Sequence, residues 1–448
     1  MLTRYLPFYK RNLKVALPIM ATQAGQVIVQ LADNIMVGHV GTAQLAGVSF
    51  ANSLFMLGLV FANGFTQGTT PHVGQAYGQG KFRKAGQLFQ NSMILNTLMS
   101  VIVTLIMCGL GYAMNFMGQE PEVLKYAHQY YNIMLVSMIP GLIFFSIRQF
   151  SEGIGITKYA MYITLLANVL NIVLNWILIY GKLGCPAMGV QGAALATLIS
   201  RVVMMVLFII LIFRIYPYKH YLKYFSRASI VRSDFVALLK TAMPQSLQAL
   251  AEMMAFSMAA VMVGWLGATN LASHQIAYSL SSLTFMVALG IGSAATIRVS
   301  HLYGAGLYKE AKIAGIASIH LSVMLLSIAG LVIIVFRKYI PFLYSSDPAV
   351  IELTSKILIF VCVYQIFDAI QLASLASLRG LKDVTAPMVF SLISYFGVCI
   401  PLGYVCAFPL GLGVFGIWIG LALGLFSASI LYYVRFIKLT NKIIKSHE

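Results

Sequence analysis

The sequence predicts an all-α integral membrane protein: twelve transmembrane helices in two parallel six-helix lobes, related by a pseudo-twofold axis along the membrane normal. Three observations carry that expectation. Apolar runs recur along the chain, basic residues gather on alternate loops, and the second half repeats motifs of the first.

Of the 448 residues, 60% are hydrophobic and 9% charged, with a mean hydropathy of +0.85. So few charges cannot clothe a water-soluble protein of this size. Runs such as Ser100–Met117, Ile199–Phe213 and Ile313–Phe336 are of the order of the ~20 residues that cross hydrocarbon at ~1.5 Å per residue.

In order, the expected spans of the first half are 15–36, 46–70, 87–113, 129–148, 159–180 and 188–213. Those of the second are 241–264, 271–297, 313–336, 353–376, 386–407 and 413–434. The opening MLTRYLPFYKRNLK is basic, but the apolar stretch after it outlasts a signal peptide and carries no small-residue cleavage site. It reads as a retained first helix. Lys and Arg then separate by side. Counting span ends with the loops they adjoin, the N-terminus, the even-numbered loops (with Arg148, Arg298 and Arg379 among them) and the C-terminus hold 24, the odd-numbered loops hold five (Lys125, Lys182, Arg337, Lys338 and Lys356), and Arg201 lies deeper within a span. By the positive-inside rule, both termini of this inner-membrane, multi-pass protein face the cytoplasm. The net charge of +18 thus orients the chain in a lipid bilayer, and no nucleic-acid partner is implied.

Four of the five cysteines (Cys108, Cys362, Cys399 and Cys406) fall in apolar runs, and Cys185 falls in a loop, with no CxxC pair. Neither a disulfide framework nor a metal cluster follows.

The repeat is read at an offset of 226 residues. Pro18 falls on Pro244, and MVGHVGTAQLAG (36–47) on MVGWLGATNLAS (262–273). Without a gap, GFTQGTTPHVGQAYGQGKFRKA (64–85) falls on GIGSAATIRVSHLYGAGLYKEA (290–311), preserving Gly64, Thr70, Val73, Tyr77, Gly78, Gly80 and Ala85. MGVQG (188–192) echoes LGVFG (412–416). Six helices per half is an even number, so the halves are parallel repeats. The expected division is an N-terminal lobe at 1–213, a basic cytoplasmic linker at 214–240 lying on the headgroups, and a C-terminal lobe at 241–448.

Twelve residues are acidic, and three lie inside spans: Asp33, Glu252 and Asp368. A carboxylate in lipid is unfavourable by at least ~2.5 kcal/mol, so such residues face a cavity and mark ion or substrate paths. Glu252 and Asp368 each stand twelve residues from a flanking lysine, Lys240 or Lys356, which places them ~18 Å along the helix and near mid-bilayer. Asp33 stands nineteen residues from Lys14, ~28 Å along and nearer the outer side. Each acid shares a helical face with polar residues: Gln26 and Gln30 with Asp33, Gln245 and Gln248 with Glu252, Tyr364 and Gln371 with Asp368. Hard oxygen donors on one stripe suit a small cation or a proton. The methionines Met253, Met254, Met258 and Met262 suit an adaptable surface for varied ligands. Gln30, Gln248, Gln371 and Met253 are therefore expected to line a substrate cleft.

At LADNIMVGHVG (31–41), PHVGQAYGQG (71–80), MPQSLQALAEMMAF (243–256), ASHQIAYSL (272–280) and IFDAIQLASLASLRGLKD (366–383), the chain resembles the multidrug and toxic compound extrusion (MATE) family, in its NorM-like branch. The resemblance implies a secondary antiporter that ejects cationic, amphiphilic drugs or dyes against sodium or proton entry. It further implies a C-terminal-lobe cation site at Glu252, Asp368 and Tyr364, and an N-terminal-lobe coupling site at Asp33, Asn171, Asn175 and Thr197. Some relatives carry an aspartate where this chain has Asn175, which leaves Asp33 as that cluster's carboxylate. No cofactor beyond the coupling Na+ or H+ is expected, nor an enzymatic activity, and the chain is expected to act as a monomer. The rival readings are a flippase for lipid-linked precursors, a membrane-embedded enzyme and a channel. A flippase calls for a cationic cleft and an enzyme for a nucleophile–base pair or metal cluster at depth, whereas the acids at depth favour a cationic cargo. A channel would not saturate or exchange one solute for another.

Overall fold

Apolar spans must satisfy their own backbone N–H and C=O groups away from water, and the helix does so within a single segment. The computed structural model, which describes residues 5–447, is accordingly helical. The helices of the first half are α1 (Leu6–Gly38), α2 (Thr42–Gln67), α3 (Thr69–Gly78), α4 (Phe82–Ala113), α5 (Pro121–Gly153), α6 (Lys158–Tyr180) and α7 (Val190–Arg214). A short α8 (Tyr218–Leu222) follows in the linker. The second half has α9 (Arg232–Gly264), α10 (Ala268–Gly304), α11 (Tyr308–Phe336), α12 (Pro348–Gly380), α13 (Thr385–Leu392), α14 (Ile400–Ala407) and α15 (Val414–Lys445). Twelve helical segments among the described residues are long and apolar enough to cross a membrane, with α2–α3 and α13–α14 each counting as one. Several helices overrun the expected spans, α5, α10 and α12 at both ends. Arg148, Arg298 and Arg379, assigned above to the basic loops, therefore sit inside α5, α10 and α12.

The chain forms two compact units, here the C unit (Met1–Met20 with Leu247–Glu448) and the N unit (Ala21–Ser246). The chain passes between them inside α1 and α9, not at the ends of the basic linker. Contacts within each unit give the reason. In the C unit, Asn12 donates to Ser318 Oγ at 2.8 Å and to the Ala314 carbonyl at 3.3 Å, and Ala16 packs with Ile291, Ala294 and Leu321. In the N unit, Asp234 at the start of α9 accepts from Lys84 at 2.7 Å and Asn91 at 3.2 Å, and Thr241 bonds His72 at 2.8 Å. The linker is also packed rather than free. Tyr218 and Tyr221 are buried with Phe150 and Phe208, and Asn91 donates to the Ser229 carbonyl at 3.1 Å.

The repeat survives as repeated contacts. Helices α5 and α12 each span 33 residues, opening on Pro121 and Pro348 and closing on Gly153 and Gly380, a constant offset of 227. The Thr70 hydroxyl donates to the Gln149 carbonyl at 3.0 Å, and the Thr296 hydroxyl to the Ala376 carbonyl at 2.8 Å. A Cβ on Gly153 would lie 2.9 Å from Val73 Cβ, and one on Gly380 would lie 2.9 Å from Val299 Cβ. Helices in lipid gain little from apolar burial and associate by close packing at small residues; these glycines occupy that role at the same place in each unit.

Candidate functional site

In the C unit the polar residues converge on one phenol. Tyr395 lies in a π-helical turn, Ile393–Cys399, between α13 and α14. Pro401, just inside α14, has no N–H to close an α-register with the preceding turn. The Tyr395 hydroxyl donates to Glu252 Oε1 at 2.8 Å and accepts from Gln371 Nε2 at 2.9 Å. That single group ties α9, α12 and the π turn together. Arg379 Nη2 donates to Gln248 Oε1 at 2.7 Å, one helical turn before Glu252, and lies within electrostatic range of Glu252.

Asp368 is the other acid here. It is 2% exposed and lies within electrostatic range of Glu252, and among the described residues no group donates a hydrogen bond to it. Tyr364, one turn earlier, is buried with its ring 5.7 Å from Trp418 and 6.3 Å from Phe256, centroid to centroid. His274 closes this aromatic wall, 5.5 Å from Trp418. No group of three His, Cys, Asp or Glu side chains gathers among the described residues. The donors are two carboxylates with phenol and amide oxygens around them. Asp368 is buried and Glu252 part-buried, and two carboxylates so placed require a countercharge or a proton.

The N unit gathers a different set. Asn175 Nδ2 hydrogen-bonds Asp33 Oδ1 and also Asn171 Oδ1, the latter at 3.1 Å. Asn171 Nδ2 donates to Thr197 Oγ1 at 3.4 Å. Asp33, Asn171, Asn175 and Thr197 thus form one chain across α1, α6 and α7. Arg201, one turn after Thr197, lies within electrostatic range of Asp33 and of Tyr130.

The residues expected to line a cleft divide. Gln30 is exposed and Met253 partly buried, whereas Gln248 and Gln371 are buried, each making one of the hydrogen bonds above. Of the remaining methionines in that stripe, Met254 and Met258 are exposed and Met262 packs in the core. Sequence reasoning passed over Tyr395 and Arg379. A lone tyrosine in the middle of span 386–407 was the available signal for the first. The second was counted as a loop charge because the end of its helix was drawn too early.

The MatE family model matches residues 18–177 and again 244–405, two stretches that begin 226 residues apart. The chain is 31% identical to a probable multidrug resistance protein NorM of Agrobacterium fabrum, over 98% of this chain and 95% of that one. It is 30% identical to the multidrug resistance protein NorM of Vibrio cholerae, over 96% and 95%. In fold it is similar to the eukaryotic MATE transporter AtDTX14, with a TM-score of 0.88, 19% identity and 99% of each chain covered. It is also similar to a multidrug resistance MATE family transporter of the MOP superfamily, with a TM-score of 0.90, 23% identity and coverage of 98% and 97%. The chain belongs to the MatE family, as a NorM-like MATE transporter.

Proposed function

We propose that this chain is a secondary active multidrug efflux antiporter that exports organic cations in exchange for an inward-moving Na+, by alternating access. The observation that carries the reading is Asp368: a buried carboxylate without a donor among the described residues, next to the second carboxylate of Glu252. Two acids in low dielectric cannot both stay charged and unpaired. A monovalent cation held by Asp368, Glu252 and the Tyr364 hydroxyl would satisfy them, and so would protonation of one of them. The donors are all oxygen, which favours Na+. Binding of a cationic drug would compete for the same negative charge, and that competition is the coupling. The names of the relatives support efflux of drugs. The acidic rather than basic charge at depth supports cationic substrates. The distribution of Lys and Arg supports cytoplasmic termini, and the proposed working unit is a monomer.

The test is efflux of a cationic dye from proteoliposomes with sodium and proton gradients imposed separately. The expected result is saturable efflux driven by an inward sodium gradient at constant pH. Efflux driven only by a proton gradient would reassign the ion, and no gradient-driven efflux of any cationic dye would defeat the reading.

A further inference from the structure

The 227-residue offset that carries α5 onto α12 also carries Ser137 onto Tyr364 and Gly141 onto Asp368. In the N unit those two positions are where Arg201 sits. Its Nη1 donates to Ser137 Oγ at 2.8 Å, and a Cβ on Gly141 would lie 3.2 Å from Arg201 Cδ. The guanidinium stands 5.3 Å from the centroid of the Phe55 ring and within electrostatic range of Asp33. In the C unit these helix positions carry a carboxylate and a phenol. In the N unit they carry a hydroxymethyl group and a hydrogen atom, and the room left is taken by a cation on a tether.

We infer that Arg201 is a built-in cation, taking in the N unit the place the coupling ion takes in the C unit, so that one chain holds one exchangeable inorganic cation rather than two. The inference rests on the proposed C-unit site. The N-unit oxygens would otherwise suit such an ion: Asp33, Asn171 and Thr197 supply hard donors, and Asn175 Oδ1 is buried with no partner. A guanidinium does not lose its proton in the accessible pH range, so the charge of Asp33 is met permanently and from within. Phe55 and Ser137 hold the guanidinium by a cation–π contact and a hydrogen bond, which fixes where that charge lies.

The test counts radiolabelled sodium bound per chain at equilibrium in lipid nanodiscs. The Glu252→Gln, Asp368→Asn double variant serves as parent, so that the C unit is silent. Adding Arg201→Met to that parent is expected to create about one sodium site per chain, which disappears again with Asp33→Asn. Arg201→Lys is expected to create none, because the tether still carries the charge. Should Arg201→Met fail to insert, Arg201→Gln, which can still bond Ser137, replaces it and is read the same way. No sodium gained on neutralising Arg201, or a gain that survives Asp33→Asn, overturns the inference. A failure of the C-unit site registers separately, as sodium still bound by the parent.

Discussion

Helices α5 and α12 have the same length, the same opening proline, the same closing glycine and the same threonine clasp. The polar centres built beside them nevertheless differ in net charge. Beside α12, Glu252 and Asp368 lie within electrostatic range of each other, and Arg379, which donates to Gln248, lies within range of Glu252. Beside α5, the carboxylate of Asp33 faces Arg201, and α5 contributes Ser137 and Gly141 where α12 contributes Tyr364 and Asp368. The duplicated scaffold has been kept at its packing positions and changed at its charges. One unit sets two carboxylates beside this helix, and the other sets one carboxylate within electrostatic range of an arginine.

The position before each closing glycine shows the same divergence. Glu152 precedes Gly153 and pairs with Arg148 at 2.6 Å, both buried, whereas Arg379 precedes Gly380. An acid in one unit is thus a base in the other. Each is stabilised locally, the first by an ion pair one turn back on its own helix and the second by α9.

Several substitutions would break or sharpen this comparison. The largest effect is expected at the C-unit acids: Asp368→Asn or Glu252→Gln should lower sodium-driven dye efflux at least ~100-fold while insertion is unchanged, since each removes a charge that the ion must balance. Western blotting of membranes together with efflux in proteoliposomes reads both halves of that statement. Tyr395→Phe keeps the ring and deletes the donor to Glu252. A hydrogen bond to a charged group contributes about 1.5–3 kcal/mol, so the apparent sodium affinity should shift by at least ~10-fold. A shift of less than twofold in the sodium dependence of efflux would remove Tyr395 from the site. Asp33→Asn should be milder, a few-fold in rate with no change in sodium dependence, because Arg201 balances that acid already.

The smallest effect on transport is expected at the paired glycines. Gly153→Ala and Gly380→Ala each force a methyl to within 2.9 Å of a valine Cβ, and overpacking of this kind destabilises by about 1–3 kcal/mol. Thermal unfolding should register similar losses for the two variants. A large loss at one and none at the other would mean that the units are not equivalent even in their packing.

Much of this was legible from the residues alone. The twelve crossings followed from hydropathy, and the two halves from the ungapped match of 64–85 to 290–311. Asp33, Asn171, Asn175 and Thr197 do meet in one hydrogen-bonded chain. What stayed hidden has physical reasons. The place where the chain changes unit lies inside α1 and α9, where neither hydropathy nor charge changes. Tyr395 reaches Glu252 from a π turn, which rotates its face away from the one a regular 3.6-residue period assigns. Arg201 was visible as a lone charge in a span. Its partners were not, because Ser137 and Gly141 are unremarkable until α5 is laid on α12.

The most direct measurement is equilibrium binding of radiolabelled sodium to Asp368→Asn and Asp33→Asn, side by side with the unsubstituted chain. About one sodium is expected per unsubstituted chain, none with Asp368→Asn and an unchanged count with Asp33→Asn. Sodium retained by Asp368→Asn and lost with Asp33→Asn would contradict this, and would move the ion to the other unit.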